Sequence, residues 1–166
     1  AALEALREDP SAFEFVDSDV KDMLPRVRHV NLIDFAEGMS LSMMAQRKSE
    51  RERMRLLTLA EKRFETAIAS APDNYLSQYH SGHTLYLQAR ESSIAASGML
   101  FQRAAKKLEQ AIFLQPAFAL PYFDLSHVQI ELACREPQAE VVQKLFISSL
   151  NNAREALKRN QRMCYD

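Results

Sequence analysis

His80 and His83 stand three residues apart, close enough to share one face of a helix, and two imidazoles so placed are half of a tetrahedral zinc site. The positions 44 residues on, Asp124 and His127, are again donors three apart. With no third ligand close by in sequence, the pair reads as hydrogen-bonded, partly buried histidines, and no metal is expected. Cys134 and Cys164 have no paired spacing and no cluster of partners, so they suggest neither a disulfide framework nor a thiol nucleophile. A Gly-rich phosphate loop, a nucleophile elbow and a metalloprotease helix are all missing from the sequence. Its carboxylates are spread along polar faces without an apolar pocket to shift their pKa. These observations predict a protein that is not an enzyme and uses no cofactor.

Charge excludes a second class of function. Lys and Arg number 21 against 22 acidic residues, so the chain lacks the positive field that neutralises phosphates, and nucleic acid is not an expected partner. Arg47, Lys48, Arg51, Arg53 and Arg55 do cluster, but Glu50 and Glu52 interleave with them, as on a solvated helix surface. No apolar run approaches the roughly 18 residues of a membrane span, and the N-terminus has no signal-peptide pattern. Together with the sparse cysteines this predicts a cytoplasmic, intracellular segment, the cytosolic face of an organelle included, with no membrane contact of its own. A start at Ala1-Ala2-Leu3 in place of Met points to a piece of a longer protein.

The elements that would position any site are helices. Three glycines in 166 residues, amid abundant Ala, Leu, Glu, Lys, Arg, Gln and Met, favour long ones. Met54, Leu57, Ala60, Phe64, Ala67 and Ile68 recur at spacings of three and four, with Arg53, Glu61, Lys62 and Glu65 on the other face. Ser49 with Glu52 three residues later has the form of a capping box, and Asn74 offers an N-cap after Pro72. Ser92 and Ser93 mark another boundary, Pro116 ends a helix, and Pro137 suits the first turn of the next. The predicted helices are 26–48, 50–71, 74–91, 97–115, 118–134 and 138–160. Residues 1–8 could add a turn or two. Phe13, Phe15, Val16, Val20, Met23 and Leu24 are too apolar for a free tail, and residues 11–25 are expected to cap the first helices.

A 44-residue period runs through these helices. Gly38, Gly82 and Ser126 are one set; Ala60, Phe64, Ala67 and Pro72 are answered by Ala104, Leu108, Ala111 and Pro116. The pattern Ala-x3-Phe followed by a closing Pro resembles the second helix of the tetratricopeptide repeat, and Gly38 and Gly82 stand where its first helix has glycine. Asp34, Gln78 and Tyr122 replace its tryptophan, and Leu41 and Leu85 its tyrosine. In the third unit Ser148, Ser149 and Ala153 match only loosely, and Asn160 falls where proline would recur, as suits a terminal repeat. The family's period is 34, and the excess lies between glycine and alanine in both units, which predicts helices lengthened by about a turn and a half. In that spacing the chain is similar to the repeats of plant mitochondrial import receptors.

The resemblance implies an all-α fold: an α-solenoid of about three elongated tetratricopeptide-like helix-turn-helix repeats, with an N-terminal capping segment. The expected division is an extension or cap at 1–25, a repeat domain at 26–160 with units 31–74, 75–118 and 119–160, and a tail at 161–166. It also implies that first helices line a concave groove, with residues 44 apart forming columns. Those columns are Phe35, Tyr79 and Phe123; Met39, His83 and His127; Leu32, Leu76 and Leu120; and Met43, Leu87 and Glu131, with Tyr86 and Ile130 beside the last. Such chemistry suits an apolar peptide or partner helix and not a carboxylate clamp. Longer helices could instead turn the columns into the inter-helix core, or the protein's own flanking segment could fill the groove. The expected function is a noncatalytic protein-binding adaptor or scaffold. Alternatives are a receptor for amphipathic targeting peptides of the mitochondrial-import type, and a regulatory or oligomerisation domain fused to an enzyme; self-association is a further expectation.

Overall fold

Residues 32–163 are described by the computed structural model, and within them every regular element is an α-helix. In chain order they are α1 (Leu32–Ala45), α2 (Glu50–Ser70), α3 (Tyr75–Glu91), α4 (Ile94–Leu114), α5 (Ala119–Ala133) and α6 (Ala139–Met163). The expected cap at 1–25, the first six residues of the helix predicted at 26–48, and Cys164 lie outside the described residues. Among those described, no helix is long and apolar enough to cross a membrane.

Most boundaries follow the local chemistry read from the sequence, and the exceptions have physical causes. Asn74 caps α3, its Oδ1 accepting from the backbone N–H of Leu76 at 3.0 Å and of Ser77 at 3.4 Å. Because Asn74 is buried, Asn74→Ala should cost about 1 kcal/mol, read as a lower urea midpoint at unchanged m-value; an unchanged midpoint would show that the cap carries no stability. Ser49 does precede α2, but its side chain makes no cap hydrogen bond, and the expected capping box is not formed. Glu52 is held instead by Arg55, at 2.8 and 3.1 Å. Helix α4 starts three residues earlier than predicted, with Ser97 already inside it and its Oγ donating to the carbonyl of Ile94 at 3.1 Å. Pro137 lies just before α6 and not in its first turn, since Gln138 is the residue whose carbonyl receives the N–H of Val142. At the other end α6 runs on through 161–163, which the sequence assigned to a tail.

Each helix packs against its neighbours in the chain, and beyond that α1 touches α3 and α3 touches α5. Between Gly82 and Ala104 only Ser92 and Ser93 are non-helical, so nearly all of that stretch is helix. The main core lies between α3, α4 and α5, built on Tyr79, Leu85, Phe101, Leu108, Leu125 and Val128; a smaller one joins Ala45 to Leu56 and Leu57.

Two glycines set the closest approaches. A Cβ on Gly38 would sit 2.7 Å from the Phe64 ring, and one on Gly82 would sit 2.8 Å from Leu108 and 3.2 Å from the Ala104 carbonyl. The glycines are therefore required by packing, each making room for the large side chain that the next helix inserts. Polar contacts between helices are specific as well. Arg63 reaches Asp34 at 3.2 Å and Glu37 at 2.8 Å, tying α2 to α1, and Arg53 reaches Glu91 at 2.7 Å, tying α2 to α3. At the far end the Arg159 guanidinium lies 4.1 Å over the Tyr122 ring and donates to the Pro116 carbonyl at 2.5 Å, clamping α6 onto the turn before α5.

Candidate functional site

The columns read from the sequence do not present one continuous surface, and their fate changes along the molecule. Phe35 is half-buried, with its ring 5.6 Å from His80 of α3 and 6.0 Å from Phe64. Tyr79 is only 7% exposed, covered by Phe118 at 5.1 Å and by His80 at 4.8 Å. The assignment of Tyr79 to a partner-binding surface is therefore corrected: each pair of helices is covered by the element that follows, which turns this position into core. Its phenol is pushed to a higher pKa, first by burial and then by the neighbouring Asp124 carboxylate. Phe123, one period later, is half-exposed, because no described element follows α6 to cover it.

The other columns show the same gradient. Met39 and Leu87 are half-buried, and Leu87 packs onto the small cluster of Ala45, Leu56 and Leu57, while Met43 is exposed at the end of α1. His83 is partly exposed but engaged, its Nδ1 donating to Asp124 Oδ2 of α5 at 2.7 Å. Tyr86 stacks on His127, and His127 meets Phe123 edge-to-face with ring centroids 4.5 Å apart. Glu131 is held by Arg135 at 2.7 Å, and Ile130 is exposed. His80 lies in a nest of Phe35, Phe64 and Tyr79, and among the described residues no three His, Cys, Asp or Glu side chains converge as metal ligands would.

What the structure does bring together is the last of each column with one face of α6. Leu120, Phe123, His127 and Ile130 of α5 form one wall of a groove, and Phe146, Leu150, Ala153 and Leu157 of α6 form the other. The hollow between them is about 700 Å³, and Leu150 and Leu157 are 52% and 64% exposed. Its lining is almost wholly apolar; Ser126, Ser149 and Asn160 contribute polar atoms, and Ser149 Oγ is already used, donating to the Ser126 carbonyl at 2.9 Å.

The α6 wall was missed in the sequence because its period slips by one. Phe101, Ala104, Leu108 and Ala111 of α4 recur 45 residues later as Phe146, Ser149, Ala153 and Ala156, the extra residue lying in the five-residue turn between α5 and α6. A search at 45 would have found them. The basic cluster at the first turn is likewise resolved: Arg53 and Arg55 are taken by Glu91 and Glu52, and Arg47 and Arg51 remain at the surface. No protein-family model matches the chain, and no curated protein matches it. Function therefore has to be argued from the groove itself.

Proposed function

We propose that the chain is a noncatalytic protein-binding module, an α-solenoid of three elongated tetratricopeptide-like pairs (α1 with α2, α3 with α4, α5 with α6) whose last pair takes a partner helix. The observation that carries this reading is the unfilled α5–α6 groove. In the first pair the equivalent position is filled by His80 of α3, lying on Phe35 and Phe64. In the second it is filled by α5, whose Leu125 and Val128 join the core of α3 and α4. A helix is thus what such a groove receives twice within the molecule, and the third is lined for the same kind of visitor. Arg154 stands on the outer flank of α6, four residues after Leu150 and three before Leu157, with Lys158 one turn on. That basic flank disfavours the Arg-rich targeting peptides of mitochondrial import and suits an acidic amphipathic helix.

Helical peptides selected from a displayed library against the whole chain are expected to bind with micromolar Kd and to lose at least about tenfold in affinity on Phe123→Glu or Leu150→Glu. Both side chains are half-exposed, so neither change removes a core contact. Selected helices that bind both variants as tightly as the parent, or a library that yields none, would overturn the groove reading.

A further inference from the structure

The groove is concave, so a second copy of the same face cannot fill it: two hollows set against each other leave both empty. A ridge is needed, and the sequence of residues 13–24 has the apolar spacing of one. We propose that the occupant is residues 13–24 of a second copy of this chain, docked as an amphipathic helix, so that the module self-associates head to tail. This rests on reading the α5–α6 groove as a helix seat.

Spacing supplies the first support. Phe13, Val16, Val20, Met23 and Leu24 recur at intervals that place them on one helical face about 100° wide, leaving Phe15 on the other side. The second is length. From residue 13 to residue 24 a helix rises about 16 Å, and the groove walls, from Leu120 to Ile130 and from Phe146 to Leu157, rise about 15 and 16 Å.

Charge is the third. Residues 1–25 hold seven acidic and two basic side chains, a net of −5, whereas residues 26–166 hold 19 basic and 15 acidic, a net of +4. The imbalance is focused where it is needed, with Asp17 and Asp19 bordering the apolar face of the ridge, Arg154 bordering the apolar wall of the groove and Lys158 one turn beyond it. Glu131, the acid at the α5 end of the groove, is held by Arg135, and Glu155 is shared between Arg159 and Lys158, the latter at 3.8 Å, which leaves Arg154 as the basic side chain bordering the wall.

Reach favours a neighbour's segment over the chain's own. Eight residue steps separate Leu24 from Leu32, about 26–29 Å when fully drawn out. The chain's own seat lies three helix layers from α1, across α3 and α5, which at 8–10 Å each is about 24–30 Å. Docking at home would demand a linker stretched to its limit, and a neighbour demands nothing of it. Head-to-tail contacts of this kind grow open chains unless they close into a ring.

Sedimentation of the whole chain from about 1 to about 200 µM is expected to show mass rising with concentration, and a synthetic peptide of residues 11–28 in excess should return it to monomer. Val16→Glu with Val20→Glu should remain monomeric throughout. Arg154→Glu with Lys158→Glu should weaken association about tenfold, and mixing that variant with Asp17→Lys, Asp19→Lys chains should restore it. Arg154 and Lys158 are exposed, so folding is not at stake in the charge reversal, which a matching thermal melt verifies. A monomer at every concentration that still binds the peptide would place the segment on its own groove and overturn the proposal. So would association that survives Val16→Glu and Val20→Glu. Library helices that bind the groove where the 11–28 peptide does not would sink this inference alone; failure of both would sink the groove reading with it.

Discussion

Phe64→Ala should lower the unfolding free energy by about 3–5 kcal/mol, and it should reverse the sign of a second substitution, Gly38→Ala. Phe64 is completely buried, with its ring against Phe35 and His80 and its edge 2.7 Å from where a Cβ on Gly38 would stand. In the parent protein Gly38→Ala gains about 1 kcal/mol of helix propensity but forces a methyl group into that ring, at a cost of about 1–3 kcal/mol. Because α3 holds the ring from above, it has little room to yield. Once Phe64 is alanine the space is open and the propensity gain remains, so Gly38→Ala should stabilise by about 1 kcal/mol and partly fill the cavity. Urea melts of the two single variants and the double variant close the cycle. Equal effects of Gly38→Ala in both backgrounds would show that the two residues do not share one volume.

The same exchange is written into the third pair. Leu108 inserts at Gly82 as Phe64 does at Gly38, but the residues at the corresponding places, Ser126 and the smaller Ala153, both line the open groove. Glycine with a large side chain and serine with a small one are two solutions to one volume constraint. Read at a 44-residue period, Ser126 looks like the decay of a pattern, because its partner Ala153 is displaced by one residue and never aligns with Leu108. This is why the helices were legible in the sequence while the α6 wall of the groove was not. The helix start at Asn74 depends on a few adjacent residues. Burial of Tyr79 and exposure of Phe123 depend on whether another helix follows, and columns 44 residues apart cannot distinguish a covered position from a terminal one. Glu52 shows the same limit locally: its spacing from Ser49 was right for a cap, but Arg55 competed for the carboxylate and won.

Two titratable groups, His80 enclosed by aromatic rings and buried Glu61, should make stability respond to pH in opposite directions. His80 is held down to a pKa of about 3, first by burial among Phe35, Phe64 and Tyr79 and then by His83 beside it. Between about pH 3 and pH 6.5 the unfolded chain therefore binds a proton at this site that the fold does not, and stability is lost as pH falls, at about 1.4 kcal/mol per pH unit. Glu61 is pushed up to about 7, first by burial and then by the Glu65 carboxylate, although Ser81 donates to it at 3.1 Å and Arg103 approaches at 3.3 Å. From about pH 4.5 to pH 7 the fold holds a proton there that the unfolded chain has released, so this contribution is lost as pH rises. The two slopes oppose each other between about pH 4.5 and 6.5, where the parent protein should be nearly indifferent to pH on their account. Each substitution unmasks the other group. His80→Phe, which keeps an aromatic ring in the nest, should leave a protein that gains stability as pH falls from 7 to 4.5. Glu61→Gln, which keeps an acceptor for Ser81, should leave one that loses stability as pH falls below 6.5. Urea midpoints of the three proteins at half-unit steps from pH 4 to pH 7.5 check both limbs. Parallel curves for all three would mean that neither group changes its proton affinity on folding.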